Sequence, residues 1–137
     1  MRTLAQWIYA VLAALAVAWT ITFLIETLAS RMLPLPPGVN PLDAEALKRA
    51  LEAGEIPISA MVLVLCGWLL AAYAGGVISH RIAAKAGAVL VFAVLFTTVV
   101  VLNLNSSPHP TWMWIGGCLG VPLVALGAAG DSITIRA

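Results

Sequence analysis

Charged residues are scarce in this sequence. Aspartate, glutamate, lysine and arginine make up 9% of its 137 residues, whereas 62% are hydrophobic and the mean hydropathy is +1.03. In a soluble domain, about a quarter of the residues are charged. A chain this short and this apolar cannot cover its hydrophobic surface in one small core, which excludes an ordinary soluble domain. The composition therefore predicts an integral membrane protein.

Basic tracts, clustered cysteines and catalytic motifs are also lacking. The formal net charge is +1, and no run of lysine or arginine indicates a nucleic-acid partner. Cys66 and Cys118 lie far apart in apolar runs, with neither metal-ligand spacing nor a disulfide framework. We expect two thiols buried in helix packing; a bridge would require their helices to touch at similar depth. G-x-S-x-G, H-E-x-x-H, Walker and C-x-x-C motifs are missing, so we predict no catalytic residue, no metal and no cofactor.

Four long apolar runs are present, at residues 4–30, 58–80, 86–103 and 112–130. Each is long enough to cross a hydrocarbon core of about 30 Å at about 1.5 Å per residue. Backbone polar groups in lipid must be satisfied within the segment, so the runs are predicted to be helices, TM1 to TM4. A secretory signal is the alternative for the first run, but that run exceeds the roughly 7–15 apolar residues of a signal core. The predicted fold class is an all-α membrane bundle of four transmembrane helices, forming one domain over residues 1–137.

The polar segment at residues 34–56 connects TM1 and TM2. Prolines at positions 34, 36 and 37 are expected to stop TM1. Asn40 and Pro41 match an N-cap and a first helical position, and Gly54 matches a C-cap. The segment therefore predicts a short surface helix, from Pro41 to Ala53, near the membrane interface.

The placement of lysine and arginine indicates the orientation of the spans. With both termini inside, the outer side carries three basic residues: Arg31, Lys48 and Arg49. All three lie on one long loop that also carries four acidic residues. The inner side carries four: Arg2, Arg81, Lys85 and Arg136. The TM2–TM3 connection, HRIAAK, is short and purely basic. We therefore expect cytoplasmic termini, a periplasmic surface helix, and Arg81 and Lys85 in contact with lipid head groups.

Small residues recur at four-residue intervals along three of the predicted helices. They are Ala10, Ala14, Ala18 and Thr22 in TM1, Gly67, Ala71, Gly75 and Ser79 in TM2, and Gly116 and Gly120 in TM4. Such stripes let helix backbones approach closely in lipid. We expect TM1 to pack against TM2, and TM4 to be irregular near Pro122, which cannot donate a backbone hydrogen bond. Trp19 and Trp68 lie deep in their spans and are predicted to be packing residues.

Glu26 is the acidic residue within a predicted span. It lies on the small-residue face of TM1, about 29 Å along the axis from Trp7, and therefore near the outer boundary. At that depth its predicted neighbours are Asn103, His109 and Trp112. One interpretation is a structural acid that either caps a neighbouring helix end or hydrogen-bonds Asn103 and the Trp112 indole. The other is a small polar pocket, formed with His109, for a proton, cation or ligand head group. We expect the structural role, because a carrier needs a site reachable from both sides, commonly near the midplane.

Two motifs carry a resemblance to a protein family: PPGVNP at Pro36–Pro41 and GWLLAAYAGG at Gly67–Gly76. Together with Arg81 and HPTW at His109–Trp112, they resemble a group of small bacterial four-span proteins. That group combines a PPGV[DN]P loop, a GWxLxAxxGG second helix, a following arginine and an HPxW element before the last helix. The resemblance implies a bacterial inner membrane and no particular activity.

The expected function is that of an accessory or scaffold subunit of a membrane assembly, without catalysis. Its expected partners are membrane lipids and either other membrane subunits or further copies of the chain. One alternative is a small oligomeric transporter or channel. Another is a membrane enzyme that acts on a lipid through Glu26 and His109 at the outer face. An exposed small-residue face would favour a subunit, and a polar path continuing below Glu26 would favour a transporter.

Overall fold

Four membrane-length helices dominate the structure. The computed structural model describes the backbone of residues 4–134 and the side chains of residues 4–130. Within that range the chain has no strand, and four helices are long and apolar enough to cross a membrane, which confirms the predicted all-α bundle. The first elements are α1 (Leu4–Met32), α2 (Ala44–Glu52), α3 (Ile58–Ala83) and α4 (Ala86–Ser106). The fourth span comprises α5 (Thr111–Ile115), a π-helical turn (Gly116–Gly120) and α6 (Val121–Thr134). Arg2 and Arg136, used above to predict orientation, lie outside the described residues.

Helix α3 is the centre of the bundle and packs against α1, α4 and α6. Its most extensive contact is with α1, which runs antiparallel to it. At one end of the pair, Gln6 Nε2 donates to the carbonyl oxygen of Ile82 at 2.7 Å, satisfying a carbonyl in the last turn of α3. Further along, Ile25 packs on Gly67. The predicted pairing of TM1 with TM2 is confirmed. We call the end of the bundle that carries α2 the α2 end.

The small residues of α3 do not all face α1. Gly67 does, but a side-chain carbon at Gly75 would overlap the Phe92 ring of α4. At Gly76 it would meet the carbonyl of Ala125 in α6. The expectation that one stripe of α3 serves the TM1 contact is therefore wrong at Gly75. The reason is the central position of α3, which needs close approach on three sides.

The alanines of the predicted stripes behave as expected. Ala14, Ala18 and Ala71 are each 0% exposed and belong to the main apolar core. In lipid, where apolar burial between helices gains little over burial in acyl chains, this close backbone packing is the main source of cohesion. The alanines of these stripes are thus buried in contacts between helices of the same chain.

Helix α2 begins three residues later than predicted. Asp43 is its N-cap, and the Asp43 Oδ1 accepts hydrogen bonds from the backbone N–H groups of Glu45 (3.0 Å) and Ala46 (3.1 Å). Asn40 instead forms a turn ahead of the helix, its Oδ1 accepting from the Leu42 N–H at 2.9 Å. The predicted cap at Asn40 is therefore wrong. Both residues are good caps, but Asp43 also adds a negative charge at the positive end of the helix dipole.

The end of α2 agrees with the prediction. Gly54 has φ +71, a left-handed conformation that glycine adopts without cost. Its N–H bonds the Leu51 carbonyl (3.1 Å), and the Glu55 N–H bonds the Ala50 carbonyl (2.9 Å). This pair of bonds is a Schellman motif and satisfies the last carbonyls of the helix.

The irregularity predicted near Pro122 takes the form of a π-helical turn. The Val121 N–H donates to the carbonyl of Gly116, five residues back. The wider turn immediately precedes Pro122, which has no N–H and whose ring crowds the preceding turn of a regular helix. Gly116 and Gly120 provide room for Leu65 and Leu69 of α3, respectively.

Candidate functional site

Glu26 is hydrogen-bonded to the central helix. The indole Nε1–H of Trp68 donates to Glu26 Oε1 at 3.3 Å, in a partly buried setting. Trp68 is 1% exposed, as predicted for a packing residue, and this bond satisfies its single polar group. The donor is therefore Trp68 of α3, and the predicted hydrogen bond from Trp112 is wrong. One consequence is that Glu26 ties α1 to the middle of the bundle rather than to the fourth span.

A cleft opens beside Glu26 between α1 and α4, with Trp68 of α3 as its floor. We call it the lateral cleft; its cavity volume is about 100 Å³. Four aromatic rings line it: Trp19, Phe23, Trp68 and Phe96. Trp19 and Phe23 at its mouth are 64% and 63% exposed, on a face that meets lipid when the chain spans a membrane. Trp19 was predicted to be a packing residue, and this exposure shows that prediction to be wrong.

The polar groups of the lateral cleft come from two helices. Glu26 and Thr22 lie one turn apart on α1, and Asn103 lies opposite on α4. Thr22 Oγ1 is buried and, among the described residues, has no hydrogen-bond partner. Asn103 is three residues from the end of α4, a distance of about 4.5 Å along the axis. The site therefore lies below the surface in the half of the bundle nearer the α2 end.

Glu26 also lines a second cleft, at the α2 end of the bundle. This end cleft, of about 220 Å³, is lined by Ser30 and Leu33 at the end of α1, by Met61 and Val64 of α3, and by His109. The His109 ring lies 6.2 Å from the Trp68 ring, centroid to centroid, with the two planes tilted by 54°. The predicted neighbours Asn103 and His109 are thus both near Glu26, but in different clefts.

The hydrogen bonding of His109 fixes its tautomer. Its Nδ1 lies 2.8 Å from the backbone carbonyl oxygen of Ser107. A carbonyl oxygen only accepts, so Nδ1 carries the hydrogen and donates. In the neutral ring, Nε2 is then a free acceptor. The end cleft therefore offers the Glu26 carboxyl group and an imidazole nitrogen to a hydrogen-bond donor.

Other residues singled out from the sequence lie away from these clefts. Trp112 is 38% exposed and is in the wall of neither. Arg81 and Lys85 are exposed near the end of the bundle opposite to α2, where the expected contact with lipid head groups remains a prediction. Cys66 is exposed, so the expectation that it is buried in helix packing is wrong, because this side of α3 faces outward; Cys118 is half-buried, and both are free thiols. No group of three or more His, Cys, Asp or Glu side chains within residues 4–130 is arranged to hold a metal ion.

Sequence reasoning missed the aromatic walls and Thr22 as site residues. The helical period was the available signal: Trp19, Thr22 and Phe23 precede Glu26 by seven, four and three residues, so they share its face. Phe96 and Val99, which face them from α4, could be identified only once the pairing of α1 with α4 was known in three dimensions.

The fold and the site together define a class: a four-span helical membrane protein with a lateral cleft and a carboxyl group at its polar end. Comparisons with known protein families, with curated proteins and with solved structures found no match to this chain.

Proposed function

We propose that this chain is a non-catalytic accessory subunit of a membrane assembly and that it holds an amphipathic ligand in the lateral cleft. The observation that carries the ligand site is that Glu26 lines both clefts. One polar group is thereby approached from the lipid side and from the α2 end. A mostly apolar cavity with a few converging polar groups is the usual form of a ligand site. At about 100 Å³ this cleft is smaller than the roughly 300–1,000 Å³ of typical ligand pockets, so it has room for a head group and only the first part of an apolar chain. An amphipathic molecule fits it with its head at Glu26 and its apolar part between α1 and α4. The alanines of the small-residue stripes are buried within the bundle, so those stripes give the subunit role no separate support.

The hydrogen bonds of the site hold its two ionisable side chains in place. His109 Nδ1 is held by the Ser107 carbonyl, and Glu26 by the Trp68 indole. In the described part of the chain, neither is bonded to a hydroxyl or thiol group that would act as a nucleophile. Glu26 and His109 therefore do not form a pair with a hydroxyl or thiol nucleophile, an arrangement common in covalent catalysis. The site is therefore suited to holding a head group in place.

We further propose that the protein resides in a bacterial inner membrane with both termini in the cytoplasm. The PPGVNP and GWLLAAYAGG motifs support the location through their resemblance to small bacterial four-span proteins. The basic HRIAAK connection supports the orientation, since short cytoplasmic loops are enriched in lysine and arginine. In this orientation the end cleft faces the periplasm.

The ligand proposal is tested by closing the lateral cleft. Val99 lines the cleft, and Val94, on the same helix, is 57% exposed. Val99→Trp fills the cavity, and Val94→Trp adds the same bulk on the lipid-facing surface. Each variant and the wild type are extracted with their native lipid in polymer discs, and the small molecules and lipids that accompany them are identified by mass spectrometry.

The proposal expects at least one small molecule to accompany the wild type and Val94→Trp and to be lost from Val99→Trp. Identical sets in all three samples would contradict the ligand site. The same samples test the subunit role, which requires a second membrane protein in stoichiometric amount. Recovery of this chain alone would contradict that role.

A further inference from the structure

We infer that the ligand of the lateral cleft is a lipophilic ammonium ion, with a primary ammonium head at Glu26 and an apolar body among the rings of α1 and α4. This inference rests on the proposed function, because it names the chemical class of ligand for the same site.

The charges lining the two clefts favour a positive head group. Glu26 contributes a carboxyl group to both, and within residues 4–130 no lysine or arginine is in the wall of either. Arg31, the nearest basic residue along the chain, is exposed and lines neither cleft. In the lateral cleft, whose wall has no lysine, arginine or histidine among the described residues, an anionic head group would meet Glu26 without a compensating cation, which disfavours it by like-charge juxtaposition. A cationic head group meets a complementary partner.

Thr22 contributes to the wall of the lateral cleft a buried hydroxyl group that has no hydrogen-bond partner among the described residues. Thr20 and Thr98 donate their hydroxyls to the carbonyl four residues back, each at 2.8 Å, as threonines in membrane helices commonly do. Thr22 makes no such bond among the described residues, although its Oγ1 is buried. A buried polar atom without a partner is costly, and a ligand that donates a hydrogen bond to it removes that cost.

The acceptors in the lateral cleft suit a primary ammonium group. Trp68 donates to Glu26 Oε1, which leaves the Oε2 of Glu26, the Thr22 hydroxyl oxygen and the side-chain oxygen of Asn103 as acceptors for a donor. A primary ammonium carries three N–H donors, as in lysine. A quaternary head has none and would lose these bonds. At the far side of Glu26, the free Nε2 of His109 adds an acceptor in the end cleft.

The aromatic rings of the lateral cleft suit both the cationic head and the apolar body of a lipophilic ammonium ion. Trp68 and Phe96 are almost fully buried, and Trp19 and Phe23 are exposed at the mouth. Ring faces attract a cation within about 6 Å of the ring centroid, most strongly for tryptophan. The opening toward lipid leaves space for an alkyl chain longer than the cavity itself.

The test compares three probes that share one chain and differ in the head: decylammonium, decanol and decyl sulfate. Melting temperatures of the purified full chain in dodecyl maltoside are followed by tryptophan fluorescence as each probe is added. A ligand that binds the folded state raises the melting temperature with concentration, which gives an apparent dissociation constant. Partitioning of the probes into micelles is the same for every variant, so differences between variants report on the protein.

Two pairs of variants isolate the proposed contacts. Glu26→Gln removes the charge and retains an acceptor for Trp68, and its control Glu52→Gln makes the same change on exposed α2. Thr22→Val removes the cleft hydroxyl, and its control Thr20→Val removes one that is bonded to its own helix. We expect decylammonium to stabilise the wild type and both controls. Glu26→Gln should weaken its binding about tenfold or more, and Thr22→Val about threefold to tenfold, because charge-assisted hydrogen bonds contribute more than neutral ones. If Glu26→Gln does not fold, the threonine pair decides.

The outcomes separate this inference from the function on which it rests. Equal stabilisation by all three probes, lost in Val99→Trp, would overturn the ammonium head group and retain the cleft as a ligand site. No stabilisation by any probe would overturn both. Equal binding of decylammonium by Thr22→Val and Thr20→Val, with Glu26→Gln unaffected, would overturn the inference alone.

The source of the ammonium group is resolved by adding phospholipid to the micelles. Stabilisation by phosphatidylethanolamine, absent with phosphatidylglycerol and lost in Glu26→Gln, assigns the site to a lipid head group. Stabilisation by decylammonium and by neither lipid assigns it to a free lipophilic amine. Both results support the inferred chemistry. Stabilisation by phosphatidylglycerol that survives Glu26→Gln would contradict it.

Discussion

Adding one methyl group at Gly75 should measurably destabilise the bundle. In Gly75→Ala the new carbon would lie 2.7 Å from both Cε1 and Cε2 of Phe92, far inside the optimal separation of about 3.5–4.0 Å. Phe92 is 0% exposed and stacks on Phe96 at 5.7 Å, so its ring has no open space to enter. Overpacking of a close-packed core costs about 1–3 kcal/mol, and so short a contact belongs at the upper end of that range. Alanine's better helix propensity offsets about 1 kcal/mol, so we expect a net loss of about 1–2 kcal/mol.

The matched control is Gly127→Ala, at a position where an added carbon meets nothing within 4 Å. Alanine is a better helix former than glycine by about 1 kcal/mol, so the control should leave the free energy of unfolding unchanged or raise it by up to that amount. The measurement is reversible unfolding in mixed micelles by titration with dodecyl sulfate, followed by circular dichroism. A Gly75→Ala protein as stable as the wild type or as Gly127→Ala would refute the close α3–α4 contact.

A double-mutant cycle identifies the clash itself. Phe92→Leu alone should destabilise the protein, because it removes part of a buried ring. In the Gly75→Ala background the same change also relieves the overlap, and it should therefore cost less. We expect a coupling free energy of about 1 kcal/mol or more between the two positions. Strict additivity would mean that the two residues are not in contact.

Three further predictions concern other parts of the molecule. Glu26→Leu should lower the free energy of unfolding by about 1–3 kcal/mol more than Glu26→Gln, because the buried Trp68 indole then has no acceptor; an equal loss in the dodecyl sulfate titration would contradict the hydrogen bond. In cells with a permeabilised outer membrane and a protein free of native cysteine, Glu52→Cys should react with an impermeant thiol reagent and Lys85→Cys should not; the reverse labelling would invert the proposed topology. Asp43→Ala should destabilise α2 by about 1 kcal/mol, seen as faster backbone hydrogen exchange in its first turn, and unchanged exchange would argue against the cap.

The spans were predictable because a membrane imposes a strong constraint on sequence: apolar runs of fixed length must be helical. The structure lengthens the predicted ends by a few residues, as at Ser106 and Met32. The TM1–TM2 pairing was also predictable, since Ala14 and Ala18 lie on one face at four-residue spacing. The partner of Gly75 was not, because composition alone does not distinguish which of three neighbours a small residue of a central helix will meet.

At the site, the depth of a residue along its helix axis was not enough to predict which side chains are in contact. Counting residues placed Glu26 level with Trp112, and both lie in the same half of the bundle. The rotation of each helix decides which of several groups at one depth meet, and here it turns Trp68 toward Glu26 and leaves Trp112 partly exposed. Local signals were similarly ambiguous at α2, where Asn40 and Asp43 are both acceptable caps and only the complete turn selects between them.

The π-helical turn has a consequence for how the two halves of the fourth span are oriented. Met113, Gly117, Val121 and Ala125 are all buried and lie four residues apart. In an uninterrupted α-helix the twelve residues from Met113 to Ala125 would carry this series about 120° around the axis, away from the helices it contacts. The π turn takes up one additional residue, which reduces that drift to about 20°. The turn therefore sets the rotational phase of the span: because twelve residues here cover the angle of eleven in a regular α-helix, removing a single residue from Gly116–Gly120 would convert the turn to an α-turn and leave the two half-helices in the same relative rotation. Straightening the turn into a regular α-helix at unchanged chain length would instead rotate Met113 by about 100° relative to Ala125 and move it out of the core, with the sequence of both half-helices intact.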